Sequence, residues 1–307
     1  MLLYINKNEQ RGDHMNFEMK NIGDGTLLSE INLAGTHNTC TKNVHAAYVT
    51  KCHDLTVSEQ LALGIRYLDI RIEKCGNALK TVHSVIDCRT KKFSREKLMF
   101  DSVTADCKAF LKANPAETLI MCIKRDDGAG SEETFDTLYE NYIKNDDVFF
   151  TENRIPTLGE VRGKIVFLNR SSIDKNNPAY TDKTAGLNLS CWADQTGPEP
   201  REAEKVPIPS RGGDDTGIAF YLQDMYQLSP ENKWYKAVLP LLENAPENAL
   251  VINFFSANNI IFSPRHYAKY ILKRFYDIKL EKGKKYGWLI LDYPTEKAVK
   301  MIFETNP

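Results

Sequence analysis

A single α/β domain of the (β/α)-barrel type is predicted by three features of the sequence. Short apolar or β-branched runs alternate with helical patterns, about eight such runs occur, and polar residues repeatedly end them. The runs cover residues 28–33, 65–72, 80–85, 118–123, 164–168, 218–223, 250–255 and 287–291. Between them, periodic patterns predict helices over 94–113, 131–144, 232–242, 264–276 and 295–303. Ser131 with Glu133 in the first turn, and Ser263 followed by Pro264, are helix starts. Such alternation argues for mainly parallel strands with helices outside. No repeat or Pro/Ser-rich linker divides the chain, so one continuous domain is expected, with residues 1–26 as an N-terminal segment packing on a barrel of residues 27–307. Residues 176–212, rich in Asn, Asp, Pro and Gly, read as a long excursion over one rim.

Composition narrows the function. With 40 Lys+Arg against 41 Asp+Glu in 307 residues, the chain has no overall basic field for a nucleic acid backbone. Its apolar runs are far shorter than the roughly 20 residues that span a bilayer. The first 13 residues carry charge where a secretory leader has its apolar core, and no small-residue cleavage site follows, so either the protein stays inside or its leader is missing from this sequence. Seven cysteines without CxxC spacing argue against a zinc site or a disulfide framework. Cys75 and Cys88 flank a possible hairpin and are the pair to consider in an oxidising compartment; isolated buried thiols are the commoner outcome.

The chemistry lies where the strands end. Run one leads into Gly35-Thr36-His37-Asn38, run two holds Asp69 and Arg71, and run three carries His83. Later runs end at Lys124, Arg170, Asp224 with Tyr226 just beyond, and Asp292. In a parallel barrel these ends share the face where active sites assemble. Asp69 and Arg71 have the same parity, so a strand points both to the interior. A charge pair plugging the barrel would explain those two alone. Two histidines at neighbouring strand ends with an Arg between them suit acid–base chemistry on phosphate, since an imidazole near pKa ~6.5 can take or give a proton. His45 and His53 read as ordinary loop histidines, and Trp234, Trp288 and Phe149-Phe150 as core or helix packing.

At this point the sequence resembles a known family. The runs Ile31-Asn-Leu-Ala-Gly-Thr-His37-Asn-Thr, Gly64-Ile-Arg-Tyr-Leu-Asp-Ile-Arg71 and Val82-His83-Ser84, with Gly287-Trp-Leu-Ile-Leu-Asp292-Tyr near the end, resemble the X domain of phosphatidylinositol-specific phospholipase C, of the metal-independent bacterial type. The resemblance covers roughly residues 27–293. It implies a distorted, incompletely closed TIM-type barrel, a phosphatidylinositol-type lipid substrate, no cofactor, no nucleic acid partner and a monomer in transient contact with a membrane surface. It implies attack of the inositol 2-hydroxyl on phosphorus, giving cyclic inositol phosphate and diacylglycerol. By position, His37 is the general base oriented by Asp292, His83 the general acid, and Arg71, near Asp69, the phosphate ligand. Lys124, Arg170 and Asp224 bind inositol hydroxyls against the Tyr226 ring. Glycosylphosphatidylinositol anchors are a second substrate class for such a site.

Two features depart from the pattern. Asn38 stands where the bacterial type usually has Asp, and His-Asn is what calcium-dependent relatives carry, where the Asn is a metal ligand. Asn38 and Asp69 would then supply oxygens, but Arg71 would face the cation, so metal-free chemistry is favoured. The second departure is the N-terminus, because bacterial relatives are generally exported. For the lipid surface, Ile260, Ile261 and Phe262 beside the site are candidates for membrane contact, and residues 43–49, on the opposite rim by chain order, are a second segment. The alternatives are a related phosphodiesterase with another head group or with calcium, and a catalytically silent barrel that binds an inositol lipid or anionic glycan. A pure binding site has no need of both an acid and a base.

Overall fold

Strands that are apolar on both faces need two cores, one inside the barrel and one beneath the helices. The computed structural model, which describes residues 19–126, 132–259 and 261–307, has both. The strands are β1 (Leu33–Thr36), β2 (Tyr67–Cys75), β3 (Ala78–His83), β4 (Ile86–Asp87), β5 (Leu119–Arg125), β6 (Phe149–Phe150), β7 (Ile165–Asn169), β8 (Leu187–Asn188), β9 (Glu204–Pro207), β10 (Ala219–Gln223), β11 (Leu250–Phe254) and β12 (Trp288–Leu291). They run in the order β6-β7-β5-β2-β1-β12-β11-β10-β9, and every neighbour from β6 to β10 is parallel. Tyr67, Ile120, Phe220, Phe254, Trp288 and Ile290 fill the interior. The alternate residues Leu68, Ile70, Met121, Leu289 and Leu291 face the outer helices.

Gly35 shows how tightly β1 is held. A Cβ there would stand 2.6 Å from Ile290 Cδ1 and 2.7 Å from Tyr67 Cβ, so only glycine lets the three strands meet. The ring of strands is not closed: among the described residues no hydrogen-bonded pair joins β6 or β8 to β9 or β10. The edge strand β9 pairs antiparallel with β10 and carries Glu204, Lys205 and Pro207, residues that discourage another strand from adding on.

The helices are α1 (Ala47–Thr50), α2 (Val57–Leu63), α3 (Phe100–Ala113), α4 (Glu133–Leu138), α5 (Leu158–Val161), α6 (Pro230–Asn232), α7 (Leu239–Glu243), α8 (Pro264–Phe275) and α9 (Glu296–Phe303). Ser263 caps α8 through its hydroxyl, as its sequence position suggests, and Thr295 caps α9 in the same way. Ser131 lies outside the described residues. Among these helices, none is long and apolar enough to cross a membrane.

The differences from expectation have local causes. Residues Leu28–Glu30 form a 3₁₀ turn, and β1 begins only at Leu33. The run at 80–85 is β3, an antiparallel return over β2 rather than a barrel stave. The eighth parallel strand is β6, whose two phenylalanines are buried in the two different cores. The helix expected from residue 94 starts at Phe100, because residues 88–98 fold into a hairpin. The helix expected over 232–242 is interrupted by a π-helical stretch, Lys233–Val238, just before Pro240, which has no N–H to continue an α-helical ladder. Residues 176–212 contain β8 and β9. Cys75 pairs across the β2–β3 hairpin with Ala78 while Cys88 lies buried opposite Thr81; both are free thiols.

Candidate active site

The C-terminal strand ends enclose a cleft of about 280 Å³ whose lining includes His37, Asn38, Arg71, His83, Lys124, Arg170, Asp224 and Tyr226, with Asp126 and Asp194 beside them. The first eight were singled out in the sequence. Asp69 and Asp292 lie buried behind this lining.

His37 follows β1, with its backbone N–H on Leu291 O of the neighbouring β12. Its Nδ1 lies 3.0 Å from Asp292 Oδ1, and Asn38 Nδ2 lies 2.8 Å from its Nε2. An amide nitrogen only donates, so Nε2 accepts and Nδ1–H donates to Asp292. The imidazole is thereby fixed with a lone pair toward the cleft. Burial alone would lower the His37 pKa, but the Asp292 carboxylate outweighs it and lifts it above the ordinary value.

Asp69, fully buried on β2, accepts from Arg71 Nε and Nη2, both at 3.0 Å. Burial would raise the Asp69 pKa, yet Arg71, His37 and Arg170 hold it well below the carboxylate range. The result is a guanidinium locked in one orientation by a permanent anion. Asp126, 3.8 Å away, adds a second anion beside it. Asn38, at φ 45°, donates its backbone N–H to Asp69 Oδ2. Its side-chain Oδ1 is buried without a partner.

His83 ends β3 and faces His37 edge-on, with ring centroids 6.2 Å apart. Its Nδ1 donates to Thr50 O at 2.8 Å, which leaves Nε2 for the cleft. Burial, then the positive neighbours His37 and Arg71, push its pKa below the ordinary value.

The far wall carries the groups suited to a polyol. Arg170 lies 3.5 Å over the Trp192 ring, and Lys124 Nζ is 3.5 Å from Asp194. Asp224 is held by a backbone bond to Gln195 Oε1. With Arg71 and Asp126 from the other wall, three cations and three carboxylates share one cleft with the Tyr226 ring.

Several residues were not legible as site residues. Trp192, Asp194 and Gln195 come from the irregular excursion. Asp126 also accepts from Ser84 N–H and so braces the turn after His83. His53, read as an ordinary loop histidine, is fully buried and donates from Nε2 to His37 O. Burial pushes its pKa down to about 4, so it stays neutral. Lys233, fully buried, donates to Gln223 Oε1 and Met225 O, on either side of Asp224. Burial pushes its ammonium down to about 7.

The membrane-contact candidates separate. Ile261 is 70% exposed, whereas Phe262 turns inward and stacks on His266. Ile260 lies outside the described residues. The segment at 43–49 is not on the opposite rim: Tyr48 Oη donates to Ile261 O, and Asn258 Nδ2 to Val49 O. The strand order explains this, since β1 and β11 are separated only by β12.

Among the described residues one cluster has metal-ligand geometry, His37, Cys52 and Asp292. Its donors do not fit an ion: His37 and Asp292 are bonded to each other, and burial raises the Cys52 pKa so far that the thiol keeps its proton. At Asn38 and Asp69, both Asp69 oxygens are taken by Arg71, which would also face a calcium ion.

Residues 28–171 match the family model of the phosphatidylinositol-specific phospholipase C X domain. The chain resembles the bacterial phospholipases of that type. A relative from Listeria monocytogenes named 1-phosphatidylinositol phosphodiesterase is 28% identical, over 94% of this chain and 84% of its own. One of the same name from Staphylococcus aureus strain Newman is 27% identical, over 90% and 87%. The solved structure of a variant phosphatidylinositol-specific phospholipase C from Staphylococcus aureus superposes with a TM-score of 0.74 at 25% identity, covering 94% of this chain and 97% of that one. The Listeria monocytogenes structure shares the fold, with a TM-score of 0.64 at 24% identity over 95% and 98%.

Proposed function

We propose that this cleft cleaves phosphatidylinositol by intramolecular phosphoryl transfer. His37 Nε2 takes the proton of the inositol 2-hydroxyl as that oxygen bonds to phosphorus. The bond from phosphorus to the glycerol oxygen breaks, and His83 Nε2–H gives that oxygen a proton. The products are cyclic inositol phosphate and diacylglycerol. Arg71, anchored by Asp69, binds a non-bridging phosphate oxygen and stabilises the charge that builds there. Lys124, Arg170 and Asp224 bind ring hydroxyls with Tyr226 against the ring, and Asp194 and Trp192 hold Arg170 and Lys124 in place. The chemistry needs no metal, because a fixed guanidinium already occupies the place of the cation.

The observation that carries this reading is the pair of rings 6.2 Å apart, one with a fixed lone pair and one with its Nε2 toward the cleft, beside the anchored Arg71. The names of the relatives support the substrate. The opposite pKa shifts of the two rings add a feature: His37, the base, is the more basic ring, so neutral His37 with protonated His83 is the less populated of the two singly protonated states. At the rim, Ile261, Tyr48 and Val49 form the surface that meets the lipid.

Phosphorus NMR of the protein with phosphatidylinositol micelles and EDTA tests the proposal. The cyclic phosphodiester resonance is expected with wild type and absent with His83→Ala. Product only after calcium addition would move the chain to metal-dependent chemistry, and binding without product would leave a silent barrel.

A further inference from the structure

Residues 89–97, Arg-Thr-Lys-Lys-Phe-Ser-Arg-Glu-Lys, hold five cations and one anion in a chain whose net charge is −1. They form the hairpin that delays α3. Arg89 bridges antiparallel to Lys97, Leu98 N–H donates to Cys88 O at 2.8 Å, and Thr90 N–H donates to Glu96 O. The base of the hairpin is fixed to the rim that carries the site: Arg89 N–H donates to Asn43 O and Asn43 Nδ2 to Thr90 O, in the loop that follows β1. At the tip stands Phe93, 88% exposed and at φ 65°, with Lys92 Nζ 5.0 Å from its ring centroid. A left-handed backbone is unfavourable for a bulky residue, and an aromatic ring in water gains nothing from burial. Neither is repaid by packing within the chain.

A second basic stretch makes the contrast. Lys279, Lys282, Lys284 and Lys285 lie before β12, at the N-terminal end of the barrel, and among them no large apolar side chain is exposed. Charge alone suits many anions. Charge around a protruding aromatic suits an anionic surface with an apolar interior.

We infer that the 89–97 hairpin is an anchor for anionic lipid bilayers, with Lys91, Lys92 and Arg95 at the headgroups and Phe93 inserted among them. It rests on the reading that the substrate lies in a membrane, but it concerns lipids that are not cleaved. The anchor would lengthen the stay of the enzyme on an anionic surface while the cleft works on successive substrates.

Co-sedimentation with vesicles free of phosphatidylinositol separates this from catalysis. Wild type is expected to bind phosphatidylcholine vesicles containing phosphatidylserine far better than pure phosphatidylcholine vesicles, and to lose that preference in high salt. Lys91→Glu, Lys92→Glu and Arg95→Glu together should weaken partition roughly a hundredfold. Phe93→Ala should weaken it about tenfold. Both variants should cleave a soluble inositol phosphodiester at the wild-type rate, and Lys279→Glu with Lys282→Glu should leave vesicle binding unchanged. Unaltered vesicle binding by the triple variant, or an equal loss in the Lys279/Lys282 variant, overturns the inference. So does tighter binding to heparin than to vesicles with no effect of Phe93→Ala, which would assign the hairpin to a soluble polyanion. Vesicle binding that follows these expectations in a protein that releases no cyclic product leaves the anchor standing and the proposed activity refuted.

Discussion

The two ends of the barrel bury polar groups to opposite purposes. At the N-terminal end Asn32 spends every atom within the chain. Its amide donates to Lys284 O and Thr305 Oγ1, its Oδ1 accepts from Tyr286 and Gly287 N–H, and Asn306 pairs with its backbone. Nearby, Arg66 and Glu117 form a buried pair at 2.7 Å that also ties down Met19 N–H. At the C-terminal end Asn38 Oδ1, Asp292 Oδ2 and Arg170 Nη1 are buried with no hydrogen bond. Buried polar atoms are nearly always paired, so three open ones gathered around a single cleft mark it as prepared for a ligand. The lesson is that the degree of satisfaction, rather than polarity, separates a structural polar cluster from a working one.

The sharpest break of this contrast is His37→Ala, expected to lower kcat about 10³- to 10⁴-fold while thermal unfolding stays near wild type. Comparable losses of activity and stability would make the upper cluster structural after all. At the other end, Asn32→Ala strands two buried N–H groups and should cost about 3 kcal/mol in urea unfolding, with the turnover of the folded fraction unchanged. Lys233 lies between these cases, since its Nζ makes two hydrogen bonds within the chain yet supports the strand end that carries Asp224. Lys233→Met is expected to raise KM about tenfold with kcat within about threefold; an unchanged KM would assign Lys233 to the structural class.

The finest test is Asn38→Asp. A carboxylate beside Nε2 raises the His37 pKa further. Because the base is then still more basic than the acid, the alkaline limb of the pH–rate profile should move up with that pKa. The plateau should fall by about tenfold for each unit of the rise. A plateau that rises, or an alkaline limb that stays in place, would show that the ring with the raised pKa is not the base.

Much of this site was legible because strand geometry is local. The parity of Asp69 and Arg71 needs only a period of two, and His37, Lys124, Arg170, Asp224 and Asp292 each end an apolar run. What escaped was set by chain reversal. His83 itself was singled out, but its strand is an antiparallel return rather than a stave, and a two-residue stave such as β6 has too few residues to show a period. Trp192, Asp194 and Asp126 lie in irregular or terminal segments where no pattern announces a direction. His53 and Lys233 look like surface residues by type, and only the surrounding elements bury them. The family resemblance supplied roles that spacing alone left open, and Asn38 is where that resemblance is least informative.

The unclosed seam between β6/β8 and β9/β10 has a consequence for divergence. A closed hoop fixes its circumference, so an insertion in any one stave disturbs all of them. Here the segment that carries Trp192, Asp194 and Gln195 joins β8 to β9 across the gap in the hoop. It can lengthen, shorten or be exchanged without renegotiating the register of the other strands. In the proposed reading, head-group contacts can therefore drift by mutation of one stretch of chain while the residues assigned to the phosphate stay fixed on the opposite wall.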